Sequence, residues 1–291
     1  MSTEAWTPTR AAIRITKQLN LFSAHHGTPR FPVNVTELAM EAANLFGWKD
    51  PITDVRAESI PGFEGALFAN EARSRWMLLY NKDLTSEGRI RFTQAHELGH
   101  YILHRLECDR FECTDKDMLN WKADGRNIEP ESDLFASYLL MPLDDYRDQL
   151  KAAPITLDLF GHCADRYGVS LTAAILKWLE CTEESAVFVM SKDGFIDWAH
   201  SSNRAMKAGA FFATRRGGPI PIPENSLAGD DSVAHDRLGR ETAASVWFPK
   251  AEEQFSLREM KIRADQYDAT LTLLHLPRSA KVWPAWNDSE R

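Results

Sequence analysis

The residues with the clearest chemical content are His96, Glu97 and His100, in the run His96-Glu97-Leu98-Gly99-His100. Two imidazoles four residues apart fall on one face of a helix, about one turn from each other, so both can reach a single metal ion. Glu97 lies beside them and fits the part of a general base. A zinc ion held by such a pair brings the pKa of water toward neutrality and polarises a carbonyl, while a neighbouring carboxylate carries the proton to the leaving amine. The chemistry expected of the set is therefore amide hydrolysis. The plain alternative is two histidines on an ordinary solvated or packed helix.

A catalytic zinc takes a third protein ligand and keeps one position open. His104 repeats the four-residue step, but one helix cannot bend three successive turns around an ion, so His104 reads as a packing or outer hydrogen-bonding residue. The place where metzincins carry their third histidine, ten residues after the first, is Leu106 in this chain. Cys108 and Cys113 would close a site with thiolates, which suits structural zinc better. The stretch Glu129-Pro130-Glu131-Ser132-Asp133 is similar to the Glu-x-x-x-Asp pattern of gluzincins. That resemblance implies that Glu129 binds zinc and that Asp133 holds the remaining ring N–H of a ligand histidine, which fixes its tautomer. Glu131 is the alternative ligand, since one turn of helix carries both acids and spacing does not separate them.

Two longer runs, in order, carry a wider resemblance. Arg89-Ile90-Arg91-Phe92-Thr93-Gln94-Ala95-His96 through His104, followed by Glu129 through Leu134-Phe135-Ala136-Ser137-Tyr138-Leu139-Leu140-Met141-Pro142, resembles the ImmA/IrrE family of metallopeptidases. With the preceding strand pair and the Tyr167-Gly168-Val169-Ser170 turn, the similarity spans roughly residues 30 to 180. It implies a zinc endopeptidase with one Zn2+ per chain, acting on a helix-turn-helix transcriptional repressor of the XRE type. Cleavage would relieve repression of mobile-element or stress and DNA-damage genes. Pro130 departs from the family, which more often places a helix-favouring residue after the ligand, and it keeps both Glu129 and Glu131 in play. The second functional reading is a non-proteolytic, zinc-stabilised module that sequesters the repressor. Glu97 speaks against it, because a purely structural site has no use for a base.

The elements that must position these residues follow from periodicity. Helical spacing predicts helices over Thr9 to Ser23 and from Val35 to about Gly47, and again from Thr85 or Ser86, as cap, to His104. Gly65 to Ala69 and Trp76 to Tyr80 read as a strand pair, and Cys108 to Asn127 as a polar loop. Pro130 suits the first turn of a helix running to Met141, and Leu143 to Leu179 is helical, with a helix-turn-helix-like segment near 160–180. Beyond Thr182 strands are expected at Ala186 to Met190, Phe195 to Trp198, Ser245 to Phe248 and Ala269 to Leu274, with a loop over Arg215 to Asp231. The fold class is α+β. A helical zincin-like metallopeptidase domain with a small β-sheet occupies 1–180, and a smaller strand-rich α/β domain, read as sensory or regulatory, occupies 181–291.

Composition bounds the rest. The chain has 291 residues, 44% of them hydrophobic, and a net charge of −8 with acids spread throughout, which disfavours direct nucleic-acid binding. The helix-turn-helix-like segment contains Arg166 and Lys177 as its basic residues, so packing helices are expected there rather than a DNA reader. No apolar run approaches the roughly 18 residues of a membrane span, and the N-terminus has no apolar signal core, so a cytoplasmic protein is expected. Its four cysteines are then expected to be reduced thiols.

Overall fold

The computed structural model describes residues 6–59, 61–84, 86–114, 122–123, 126–151, 153–214, 218–251 and 254–283. They form two compact units, 1–152 with 163–170, and 153–162 with 171–291.

The first unit opens on α1 (Pro8–His26) and α2 (Val35–Phe46), both bounded by the local chemistry that begins and ends helices. Thr7 and Asn34 cap their first turns through side-chain oxygens, and Gly27 and Gly47 close them in the left-handed conformation. Next come β1 (Ile52–Glu58), β2 (Phe63–Ala69), β3 (Trp76–Asn81), α3 (Glu87–His104) and β4 (Arg110–Thr114). The short pair β5 (Lys122–Ala123) and β6 (Arg126–Asn127) precedes α4 (Glu129–Leu140) and α5 (Leu143–Lys151). The four-stranded sheet has the order β1-β3-β2-β4. Its β2–β3 pair is antiparallel, in register from Gly65 opposite Tyr80 to Ala69 opposite Trp76, where the sequence placed a strand pair.

Two expectations are corrected in this unit. The start of the expected polar loop is β4, antiparallel to β2, because Phe111 alternates with charged neighbours and its side chain turns inward. The residues of that loop at 115–121 and 124–125 lie outside the described ones. The strand β1, parallel to β3, was not anticipated, because its run Ile-Thr-Asp-Val-Arg-Ala-Glu is as polar as a surface segment.

The sheet supports α3, which Ser86 caps by accepting from the Arg89 amide at 3.2 Å. Ala95, Leu98, Tyr101 and Ile102 of α3 are buried, as are Phe135, Ala136, Leu139 and Leu140 of α4. Gly99 lets the two helices meet closely. A Cβ built there would lie 3.1 Å from the Ser132 Cα and 3.1 Å from the Phe135 ring, closer than ordinary carbon contacts of about 3.5–4.0 Å.

The helices α6 (Leu157–Tyr167) and α7 (Leu171–Cys181) are joined at Gly168, whose φ of 60° is the left-handed conformation that a tight helical turn requires. Beyond them lie β7 (Ser185–Lys192), β8 (Phe195–Ser201), α8 (Asn203–Ala208), β9 (Ile220–Pro221), β10 (His235–Ala243), α9 (Ala244–Trp247), β11 (Ser256–Ala264) and β12 (Ala269–Leu276). Six strands make one antiparallel sheet in the order β10-β11-β12-β7-β8-β9. Asp193 and Gly194 both take positive φ, the geometry of a two-residue hairpin turn whose twist matches its strands. Val187, Val189, Leu257, Leu274 and Leu276 are buried in one cluster with Trp247 and Phe248. The strand expected at Ser245 to Phe248 is therefore corrected: it begins within the one-turn helix α9, which plants Trp247 in that cluster.

Candidate metal centre

The site is built where α3 meets the first turn of α4. The four-residue spacing puts His96 and His100 on the buried face of α3, and Glu129 is the first residue of α4. The helix α4 has no side-chain cap. Glu129 instead reaches across to α3, with Oε2 3.0 Å from His96 Nε2 and Oε1 3.4 Å from His100 Nε2. The two Nε2 atoms are 3.0 Å apart. Among the described residues, His96, His100 and Glu129 form the set whose donor atoms all lie within 4.8 Å of one another, and all three are buried.

These residues fit a metal ion on their chemistry. Tetrahedral zinc with bonds of about 2.0–2.1 Å sets its ligand atoms roughly 3.3 Å apart, close to the separations found here. His96 Nδ1 lies 2.9 Å from Asp133 Oδ1, and a carboxylate accepts, so the neutral ring has its proton on Nδ1 and a lone pair on Nε2. That lone pair faces a carboxylate oxygen at 3.0 Å. Two such groups repel unless a cation lies between them.

The electrostatics of the set agree. Burial pushes His100 down to about 4 against the raising influence of Glu129, so its ring is neutral near pH 7. Burial alone would raise the Glu129 carboxyl, but the nearness of the His100 and His96 rings outweighs it and holds the group well below the usual carboxylate range. Neutral imidazoles and an ionised carboxylate are the protonation states in which these groups bind metal.

Glu97 is fully buried on α3, and its carboxyl packs against β2. The contact is close because position 65 has no side chain: a Cβ there would sit 2.7 Å from Glu97 Oε1 and 2.6 Å from the Thr93 methyl. Glu131 stands apart from the converging donors. Its Oε2 lies 2.9 Å from His104 Nε2, and His104 Nδ1 is 3.2 Å from His100 Nδ1. Phe111 stacks on the His100 ring at a centroid distance of 4.7 Å and 18° between planes. The sequence reading gave Phe111 no part in the site, and its alternation within β4 was the signal that could have found it.

Residues 49–179 match the Peptidase_M78 profile, described as the IrrE N-terminal-like domain. This span is thus an IrrE N-terminal-like peptidase domain. The IrrE-like domain contains all of His96, Glu97, His100, Glu129, Glu131 and Asp133. No curated protein matches the chain. A solved structure, a Mycobacterium tuberculosis transcriptional regulator, is 12% identical with a TM-score of 0.46, covering 93% of this chain and 82% of that one, a likeness too distant to assign a role. Among the described residues no helix is long and apolar enough to cross a membrane.

Proposed function

We propose that the protein is a cytoplasmic zinc endopeptidase that cleaves a partner XRE-type helix-turn-helix repressor and so relieves repression. In this reading 1–180 is the peptidase domain and 181–291 is a sensory or regulatory one. His96, His100 and Glu129 hold the zinc, and Asp133 orients His96 by accepting a hydrogen bond from its Nδ1–H at 2.9 Å. A zinc ion bound there would supply a Lewis acid that polarises the scissile carbonyl and acidifies water. Glu97 takes a proton from the attacking water onto its carboxylate and returns it to the leaving nitrogen. The observation that carries the reading is the convergence of three buried donors, two from α3 and one from α4, with Glu97 buried on α3 next to His96. The substrate class rests on the family resemblance.

The Glu97→Gln variant tests it. That change should leave zinc content and fold intact while peptide-bond cleavage of the cognate helix-turn-helix repressor falls by orders of magnitude. Undiminished cleavage would remove the base. Undiminished derepression without cleavage would instead favour sequestration of the repressor.

A further inference from the structure

The interactions on the far side of His100 define a second line of residues behind the metal centre. His100 presents Nε2 to His96 and Glu129, while its Nδ1 lies 3.2 Å from His104 Nδ1. The other ring nitrogen of His104 is 2.9 Å from Glu131 Oε2. His104 is fully buried, whereas the Glu131 side chain is 36% exposed, so the line runs from solvent to a ligand ring through one buried imidazole.

We propose that Glu131 and His104 are positioning residues that fix the tautomer of His100 and aim its Nε2 lone pair at the metal. This rests on the reading of His96, His100 and Glu129 as a metal set. The proton assignments follow in order from the outer end. A carboxylate oxygen accepts, so His104 donates from Nε2. A singly protonated His104 then has a lone pair on Nδ1, and the facing Nδ1 of His100 must be the donor. That places the proton of His100 away from the centre and leaves Nε2 able to bind an ion.

His96 reaches the same state directly, through Asp133. The two ligand imidazoles are thus oriented by carboxylates two positions apart on α4, one in contact and one through an intervening histidine. This gives Glu131, which spacing alone left as a rival to Glu129, a different task at the same site. It also explains the third histidine of the His96, His100, His104 series: it faces the ring of its neighbour, one turn along, instead of the ion.

The test uses the full chain with histidines labelled in 15N, and zinc competition against a chromophoric chelator. Long-range 1H–15N spectra should place the His104 proton on Nε2 and the His100 proton on Nδ1. Glu131→Leu, a change at a partly exposed side chain, should lower zinc affinity about 10–100-fold, the usual cost of losing an outer partner of a ligand histidine. It should also alter the visible absorption of the cobalt-loaded protein. Glu131→Gln retains an acceptor for the His104 N–H and should recover most of the affinity. A His104 proton on Nδ1, or a Glu131→Leu variant with unchanged affinity and cobalt spectrum, overturns the proposal. So does a loss as deep as that of Glu129→Ala, which would make Glu131 a ligand. Wild-type protein that takes up no metal would sink the metal reading, and the tautomers would still decide the hydrogen-bonded line.

Discussion

Replacing Gly99 by Ala sets helix propensity against packing at the centre. In an exposed helix the change would stabilise by up to about 1 kcal/mol. Here the new methyl would lie 3.1 Å from the Ser132 Cα, 3.3 Å from its Cβ and 3.1 Å from Phe135 Cδ1. Ordinary carbon contacts fall at about 3.5–4.0 Å, so α4 must retreat from α3 by roughly 0.4–0.9 Å. Overpacking of this kind costs about 1–3 kcal/mol, so the net effect is a destabilisation of about 0–2 kcal/mol. Metal affinity should suffer more than stability. Ser132 and Glu129 share the first turn of α4, and a shift of half an ångström exceeds the roughly 0.2 Å tolerance of a metal–ligand bond. We expect zinc affinity to fall by about ten- to a hundredfold, read by competition with a chromophoric chelator, with a melting temperature only a few degrees lower. Zinc affinity within twofold of wild type at an unchanged melting temperature would refute the packing account of Gly99.

Gly65→Ala should do the converse, keeping metal but slowing turnover. Its Cβ would stand 2.7 Å from Glu97 Oε1 and displace the carboxylate by about 0.7 Å, enough for a 10–100-fold loss in kcat/KM; wild-type kinetics would show that the base has room to move. Glu129→Ala should give the largest loss of zinc affinity and Asp133→Asn a smaller one of about 10–100-fold, since the amide oxygen still accepts from His96; the opposite ranking in parallel metal titrations would exchange their roles. The Asp145 carboxylate accepts two hydrogen bonds from Arg166, at 2.8 and 2.7 Å, and one from the Tyr167 hydroxyl at 2.6 Å. Burial would raise Asp145, but these bonds prevail and hold it below its usual value. Its stabilisation is then complete above the unfolded pKa of about 4 and lost as pH falls through the lower folded value. Asp145→Asn should accordingly melt below wild type at pH 7 and at pH 5, with the gap narrowing below about pH 4; a gap independent of pH would point to packing instead.

Much of the first unit could be read because its helix ends announce themselves. Thr7, Asn34 and Ser86 cap, and Gly27, Gly47 and Gly168 terminate, each for a reason local to a few residues. The imidazole pair is local in the same way, since helical spacing alone puts His96 and His100 on one face. The choice between Glu129 and Glu131 is not local. Two positions on a helix point about 200° apart, and which one meets the His96 and His100 pair depends on how α4 is rotated against α3, a matter settled where Gly99 admits Ser132 and Phe135.

One strand that the alternation of residue types hides has polar residues at inward positions. In β11 the buried side chains include Glu259, which accepts from the Ala228 amide at 2.8 Å, and Lys261, which donates to the Asp230 carbonyl at 2.8 Å. An apolar–polar alternation cannot register such a strand. The strand β10 lies at the edge of its sheet, with Leu238 exposed, and gives no apolar face to find. Conversely, Ser245 to Phe248 is a short apolar run of the kind that fits either a buried strand or a helical turn.

The placement of the donors on α3 and α4 has a consequence for folding. Glu129 follows His100 by 29 positions, so an ion held by both would tie together two points distant in the chain, as a covalent bridge does. Treated as a cross-link of that span, it would remove roughly 3–4 kcal/mol of chain entropy from the unfolded state. The same ion would then be a fastener as well as a reagent. A chelator added to this protein would loosen the junction of α3 and α4 at the moment it stopped the chemistry, and susceptibility to unfolding would follow the free metal concentration.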